Sequence, residues 1–150
     1  MKAFFRYMMP IFVLFAVSFI LNLFWEVLQV PLYEGFHYTL GGFGILIWAS
    51  SGDAVYIALV AMFSFGTRLN RLFKVDKWLV LRSIFFASFL FISSYRVELR
   101  GLSNGWWSYA EAMPIVFGVG LSPMLELFVT GVTSLLLLKK APLLRKISNI

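Results

Sequence analysis

Three carboxylates lie inside strongly apolar stretches of the sequence, where a charged group needs an explanation. Glu26, Asp53 and Glu126 each fall between the middle and one end of such a stretch. An ionised carboxyl at bilayer depth costs at least about 2.5–3.5 kcal/mol, so we expect all three to face other helices or a wet cavity. A desolvated glutamic acid can also donate a proton near neutral pH. These three residues are therefore the candidate catalytic groups.

Two stripes of polar side chains accompany the carboxylates. The first stripe has the spacing i, i+3, i+4 and i+7 and comprises Asn22, Trp25, Glu26 and Gln29. The second has the spacing i, i+4, i+8 and i+11 and comprises Ser122, Glu126, Thr130 and Thr133. Such spacing places each set on one face of a helix. The stripes indicate either a site or interhelical hydrogen bonds, because polar side chains serve both purposes in membrane helices.

The residues expected to bind a substrate lie on the first stripe and near the ends of the apolar stretches. They are Asn22, Trp25, Gln29, Tyr33, His37, Arg96, Arg100, Trp107 and Tyr109. Aromatic faces can stabilise a cationic intermediate and basic side chains can hold a phosphate headgroup, so these residue types suit a lipid or isoprenoid. The structural alternatives are an ion pair of Glu26 with Arg96 or Arg100, and Trp107 in an interfacial aromatic belt.

The sequence predicts no metal site and no cofactor. The chain has no cysteine and one histidine, which excludes thiolate sites, iron–sulfur clusters and bis-histidine haem. A dense aspartate cluster for Mg²⁺ is also missing, since Asp53 is the single aspartate within the apolar stretches. Glycine fingerprints for nucleotides are absent. The stretch 101–105 fits Gly-x-Ser-x-Gly, but it lies in a short predicted loop and is interpreted as a turn.

The composition places these residues in a membrane. Hydrophobic residues make up 61% of the chain, charged residues 13%, and the mean hydropathy is +0.87. A soluble domain carries about 25% charged residues, so that class is excluded. Four apolar stretches, 8–30, 45–65, 78–95 and 114–138, are each near the roughly 20 residues that cross a bilayer. We predict an all-α bundle of four transmembrane helices in a single domain, 1–150, with a second helix that begins near Ile45 or near Asp53.

The basic residues predict the orientation. Eleven of the thirteen lysines and arginines lie on one side: ten lie before the first stretch, between the second and third, or after the fourth, and Arg82 lies just inside the third stretch. The other two are Arg96 and Arg100. By the positive-inside rule, both termini then face the cytoplasm of a multi-pass inner (plasma) membrane protein. The net charge of +6 suits anionic lipid headgroups rather than nucleic acid. The expected partners are membrane lipids, other membrane subunits or a second copy of the chain.

A longer motif supports the choice of residues. The string from Asn22 to Tyr33 reads Asn-Leu-Phe-Trp-Glu-Val-Leu-Gln-Val-Pro-Leu-Tyr and is followed later by Trp107-Ser108-Tyr109 and Met113-Pro114. It resembles a group of small polytopic bacterial membrane proteins with the motif Asn-x-x-Trp-Glu-x-x-Gln-x-Pro-Leu-Tyr. The resemblance covers a small part of the chain and implies no mechanism.

Three functions fit these observations. The first is a membrane enzyme that performs acid–base chemistry on a lipid or isoprenoid in a pocket facing the outer leaflet. The second is an accessory or assembly subunit of a larger membrane complex, in which the polar stripes are contacts between helices. The third is a proton- or cation-coupled carrier.

Overall fold

The chain forms four long helices. In a computed structural model, the described residues are 2–66, 69, 71–73 and 76–141, with side chains described from Met8 onward within these ranges. The helices are α1 (Lys2–Gln29), α2 (Leu40–Phe65), α3 (Leu79–Ser103) and α4 (Leu121–Lys140). A 3-10 turn, Val30–Leu32, continues α1, and a hairpin of β1 (Ile115–Val116) and β2 (Val119–Gly120) precedes α4. The all-α, four-helix prediction is confirmed.

Each helix provides a segment with the length and apolar composition needed to cross a membrane. These segments are Met8–Leu32, Leu40–Phe65, Leu79–Ser103 and Leu121–Lys140. Large apolar side chains such as Phe12, Phe63 and Val80 point outward and are 69%, 79% and 68% exposed. Such surfaces are costly in water and suited to acyl chains. The helices therefore indicate a membrane protein.

The second helix begins earlier than either predicted start. It runs unbroken from Leu40, and the Thr39 hydroxyl caps its N-terminus by accepting a hydrogen bond from the Gly42 amide at 3.1 Å. Both the Ile45 start and the Asp53 start are therefore wrong. This cap stabilises the first turn of α2. Each glycine that follows costs about 1 kcal/mol relative to alanine, but the glycines do not end the helix. Asp53 lies well inside α2 and does not cap it.

The third and fourth helix boundaries also differ from the predicted ones. α3 continues past residue 95 to Ser103, because charged side chains such as Arg96 and Arg100 do not interrupt a backbone hydrogen-bond ladder. α4 begins at Leu121 rather than at Pro114. The chain first reverses through the β1–β2 hairpin, whose turn residues Phe117 and Gly118 have φ of +51° and +81°. Glu126 consequently lies in the second turn of its helix.

The apolar core fills one half of the bundle. α1 packs against α2 and α4, and α3 packs against α4 and α2. The core contains Leu14 from α1, Ile57 and Phe65 from α2, Phe86 and Leu90 from α3, and Leu127 and Leu138 from α4. Gly131 allows close approach of α3 and α4, because a Cβ there would overlap the Leu90 side chain.

The two ends of the bundle differ in charge. At the end we call the acidic end, α1 and α3 finish and α2 and α4 begin. The opposite, basic end carries Arg71, Lys77, Arg82, Lys139 and Lys140 among the described residues. Arg68, Lys74, Arg145 and Lys146 lie outside the described residues, as do the side chains of Lys2 and Arg6. The cytoplasmic location of the termini stays a prediction.

Candidate functional site

Three helices bring the predicted catalytic carboxylates together. Glu26 comes from α1, Asp53 from α2 and Glu126 from α4. One carboxylate oxygen from each residue lies within 4.8 Å of those from the other two. We call this group the carboxylate trio. It lies toward the acidic end, on the interior faces where α1, α2 and α4 meet.

Gln29 connects two members of the trio. Its amide nitrogen Nε2 donates to Glu26 Oε2 at 2.8 Å and to Glu126 Oε2 at 2.9 Å. Its amide oxygen Oε1 accepts from the Ser122 hydroxyl at 3.1 Å. Gln29 is 3% exposed, so these hydrogen bonds form away from water. The polar stripes of α1 and α4 thus face each other.

Glu126 is the most buried carboxylate of the trio. It is 6% exposed, and its second oxygen, Oε1, has no hydrogen-bond partner among the described residues. A buried polar atom left without a partner costs about 1–3 kcal/mol, and more when it is charged. Oε1 of Glu126 is therefore an acceptor without a partner, and a proton, a water molecule or a cation would satisfy it.

A second polar layer lies one to two turns nearer the middle of the bundle. Asn22 Oδ1 accepts from the Thr130 hydroxyl at 2.9 Å, and Asn22 Nδ2 donates to the Ser18 carbonyl at 2.8 Å. The Thr130 hydroxyl also lies 2.7 Å from the Glu126 carbonyl. Asn22 and Thr130 are 0% and 3% exposed. This layer separates the trio from the apolar core and has a structural role.

A cavity of about 500 Å³ extends from the trio toward the acidic end. Its walls combine the three carboxylates and Gln29 with apolar side chains, and its outer part is formed by the two connections at the acidic end. Ile45 and Val97 line it and are 60% and 54% exposed, so this wall also faces the surroundings of the bundle. The volume falls within the usual range for small-ligand sites.

Glu98 is a fourth carboxylate of the cavity and was not among the residues predicted from the sequence. It is 7% exposed and accepts hydrogen bonds from Trp107 Nε1 at 3.2 Å and from the Tyr109 hydroxyl. The predicted third helix ended at residue 95, which put Glu98 in a loop. A signal was available, because Glu98 continues a buried stripe with the spacing i+4, namely Phe86, Leu90 and Ser94.

The two connections at the acidic end pair with each other over the cavity. The Glu34 amide donates to the Ser108 carbonyl at 3.0 Å, and the Ala110 amide donates to the Leu32 carbonyl at 3.0 Å. The Ser108 hydroxyl adds a hydrogen bond to Glu34 Oε2 at 2.8 Å. These hydrogen bonds join the connection between α1 and α2 to the connection between α3 and α4. We call the joined connections the cap.

Tyrosine and tryptophan rings fill this cap. The rings of Tyr33 and Tyr109 lie 5.5 Å apart, and burial raises the pKa of Tyr33 well above its usual value, with the Glu98 carboxylate acting in the same direction. Burial and the hydrogen bond to Glu98 likewise raise the pKa of Tyr109. Trp107 lies on Gly101, where any Cβ would overlap its indole ring. A glycine is therefore needed at that position.

The remaining predicted binding residues divide into two groups. Gln29, Tyr33 and Trp107 line the cavity, and Tyr109 contacts it through Glu98. The lining does not include Asn22, Trp25, His37, Arg96 or Arg100. His37 and both arginines are exposed, and the Arg100 guanidinium lies 5.9 Å from the Trp106 ring centre. Trp25 is half-buried, and its indole nitrogen has no partner within the described ranges.

The structural alternative for Glu26 was an ion pair with Arg96 or Arg100. Within the described part of the chain, the one ion pair joins Arg82 to Asp76 at 3.0 Å, at the basic end. This pairing lowers the pKa of Asp76 through the hydrogen bonds from Arg82. Glu26 is instead held by Gln29, so its place in the bundle is not explained by a salt bridge.

The chain matches no protein-family model, no curated protein and no solved structure at a level that indicates relatedness. The resemblance carried by the motif from Asn22 to Tyr33 thus stays a prediction.

Proposed function

We propose that the chain is an integral membrane enzyme that performs acid–base chemistry on a lipid or isoprenoid. One observation carries the proposal: three carboxylates from three helices converge at the end of a cavity whose remaining walls are mainly apolar. Carboxyl groups can both donate and accept a proton, and a site removed from bulk water strengthens their interactions. No ion pair explains the trio, since no basic side chain lines the described cavity.

The wall of the cavity supports an amphiphilic substrate. Ile45 on α2 and Val97 on α3 belong both to the cavity and to the exposed apolar surface. An acyl or isoprenoid chain can therefore enter between α2 and α3, while its polar or unsaturated end reaches the trio. Burial of apolar chain contributes about 25 cal/mol per Å², which gives such a substrate its affinity.

The chemistry that fits these groups is a proton shift. One carboxyl of the trio adds its proton to a carbon–carbon double bond, which leaves a positive charge on the substrate. The rings of Tyr33 and Trp107, which line the same cavity, stabilise that charge through their negative faces. A neighbouring carboxylate then removes a proton from the adjacent carbon. One proton is added and one is lost, so the double bond moves and no oxidant is required.

The other functions are less well supported. A carrier must open a route to both sides, whereas the Asn22–Thr130 layer and the apolar core close the bundle beyond the trio. An accessory subunit needs its polar stripes only as contacts between helices, a role that Gln29 and Asn22 fill, whereas Glu26 and Glu126 also line the cavity. The charge distribution supports cytoplasmic termini in the inner (plasma) membrane, so the cavity faces the outer leaflet.

Deuterium labelling tests the proposal without a known substrate. The chain is reconstituted with lipids extracted from the membranes that contain it, incubated in D₂O and analysed by lipid mass spectrometry. We expect one lipid to gain deuterium on carbon, and Glu26→Gln to lower the rate by about 10²–10⁴-fold, as removal of a general acid does. Glu111→Gln is the matched control, because Glu111 is exposed and is not among the residues that line the cavity.

Two results would contradict the proposal. Lipids that gain no deuterium above protein-free vesicles would exclude proton transfer to carbon. Equal rates for the wild type and Glu26→Gln would remove the trio from the reaction.

A further inference from the structure

The carboxylate trio lacks the positive partner that buried acids usually have. None of the described residues that line its cavity is lysine, arginine or histidine, and the one described ion pair lies at the basic end. Three unpaired negative charges in a low-dielectric interior are prohibitively costly. The trio must therefore be neutralised by protons or by a bound cation.

The spacing of the oxygens fits a cation. One oxygen from each carboxylate lies within 4.8 Å of the others. Two oxygens on opposite sides of a Ca²⁺ ion at about 2.4 Å from it are about 4.8 Å apart, and neighbouring ligands are closer. Ca²⁺ accepts several carboxylates in a flexible geometry, whereas Mg²⁺ demands a near-ideal octahedron and usually keeps several waters. Three carboxylates from three separate helices therefore suit Ca²⁺ better than Mg²⁺.

A second observation points to a ligand at the same place. Glu126 is only 6% exposed and lines the cavity. Its Oε1 atom has no hydrogen-bond partner among the described residues. Gln29 satisfies Oε2 of both Glu26 and Glu126, and in doing so fixes the two carboxyl groups side by side. A hydrogen-bonded outer partner of this kind is what orients a metal-binding carboxylate.

We infer that Glu26, Asp53 and Glu126 form a binding site for a divalent cation, with Ca²⁺ as the best fit. No metal site was predicted because the chain has no cysteine, one histidine and no dense aspartate cluster, whereas the three ligands here come from three different helices. The inference does not rest on the proposed enzymatic function, since binding is measured without a substrate. If both hold, the ion and the transferable proton compete for the same oxygens and the ion inhibits the reaction.

Manganese binding tests the site. The full chain, purified in a neutral detergent, is titrated with Mn²⁺ while electron paramagnetic resonance reports free ion. We expect saturation at one ion per chain and displacement by Ca²⁺ at lower concentrations than by Mg²⁺. Glu126→Gln and Asp53→Asn should each weaken binding by about tenfold or more, because each removes a charged ligand. Glu111→Gln is the control and should bind like the wild type.

A second measurement needs only the wild-type chain. Tb³⁺ has the ligand preferences of Ca²⁺, and its luminescence can be excited through a nearby indole such as Trp107, which lines the same cavity. We expect sensitised luminescence that Ca²⁺ abolishes.

Three results would overturn the inference: no saturable Mn²⁺ binding, unchanged binding in both trio variants, or luminescence insensitive to Ca²⁺. Saturable binding in a protein that transfers no deuterium would leave the cation site intact and refute the enzymatic proposal alone.

Discussion

Replacing Gln29 by leucine tests whether the polar contacts between α1 and α4 stabilise the bundle. Leucine nearly conserves the side-chain volume, so no large cavity results. The change removes the bonds of 2.8 and 2.9 Å to Glu26 and Glu126 and the bond of 3.1 Å from Ser122. It also leaves the bonded carboxyl oxygens of Glu26 and Glu126 without their donor.

The expected loss follows from the number and kind of these bonds. Side-chain hydrogen bonds between membrane helices average about 0.6 kcal/mol, which gives roughly 2 kcal/mol for three. Bonds to charged groups contribute about 1.5–3 kcal/mol each, which gives roughly 3–6 kcal/mol for the two to carboxyl groups if these are ionised. We therefore expect the free energy of unfolding to fall by at least about 2 kcal/mol, which corresponds to roughly 4–8 °C in Tm for a chain of this size.

Reversible unfolding in mixed micelles, followed by circular dichroism, measures this change. Asn104→Leu is the matched control, because Asn104 is an exposed amide at the end of α3 and its replacement should change stability by less than about 0.5 kcal/mol. A Gln29→Leu variant as stable as the wild type would refute the reasoning. It would mean that the carboxyl oxygens find other donors or that the apolar replacement compensates fully for the lost bonds.

Two further predictions concern the cap and the orientation. The raised pKa of Tyr33 means that its stabilising contribution is fully present below about pH 10 and is lost as the pH rises above that value toward the pKa of the folded state. Tyr33→Phe should therefore flatten the alkaline fall in unfolding free energy by up to about 1.4 kcal/mol per pH unit, and an unchanged slope would contradict the assignment. Reporter fusions after Lys77 and after Ser103 should report opposite compartments, because these positions lie at opposite ends of α3. The same compartment at both positions would contradict a spanning α3.

Several features of this protein follow from the sequence because they depend on local composition. Each run of about 20 apolar residues is long enough to cross a bilayer, so the number of such runs gives the number of possible spans. The cost of a carboxylate in lipid likewise requires that Glu26, Asp53 and Glu126 face inward, and the helical spacing identifies the face on which Gln29 lies. These predictions needed no knowledge of how the helices pack.

The helix boundaries were not predictable from hydropathy, because hydropathy reports where a side chain prefers to be and not where the backbone stops being helical. α3 continues through Arg96, Glu98 and Arg100, since a charged side chain costs a helix little. Glu98, which was predicted to lie in a loop, therefore lies on α3 and lines the cavity. The β1–β2 hairpin was equally unpredictable from hydropathy, because its turn depends on the backbone conformation of Phe117 and Gly118.

Only the tertiary structure decided that the carboxylates meet. Their separations along the chain, from residue 26 to 53 to 126, place no limit on their separation in space. The register between α1 and α4 sets the distance between Glu26 and Glu126, and the hydrogen bond from Gln29 to Glu126 is one of the contacts that hold this register. A local sequence pattern defines which face of a helix is polar, but the relative height of two helices depends on every contact between them. For that physical reason the sequence predicted which acids face inward toward a common pocket, and the packing of the helices decided how close together they lie.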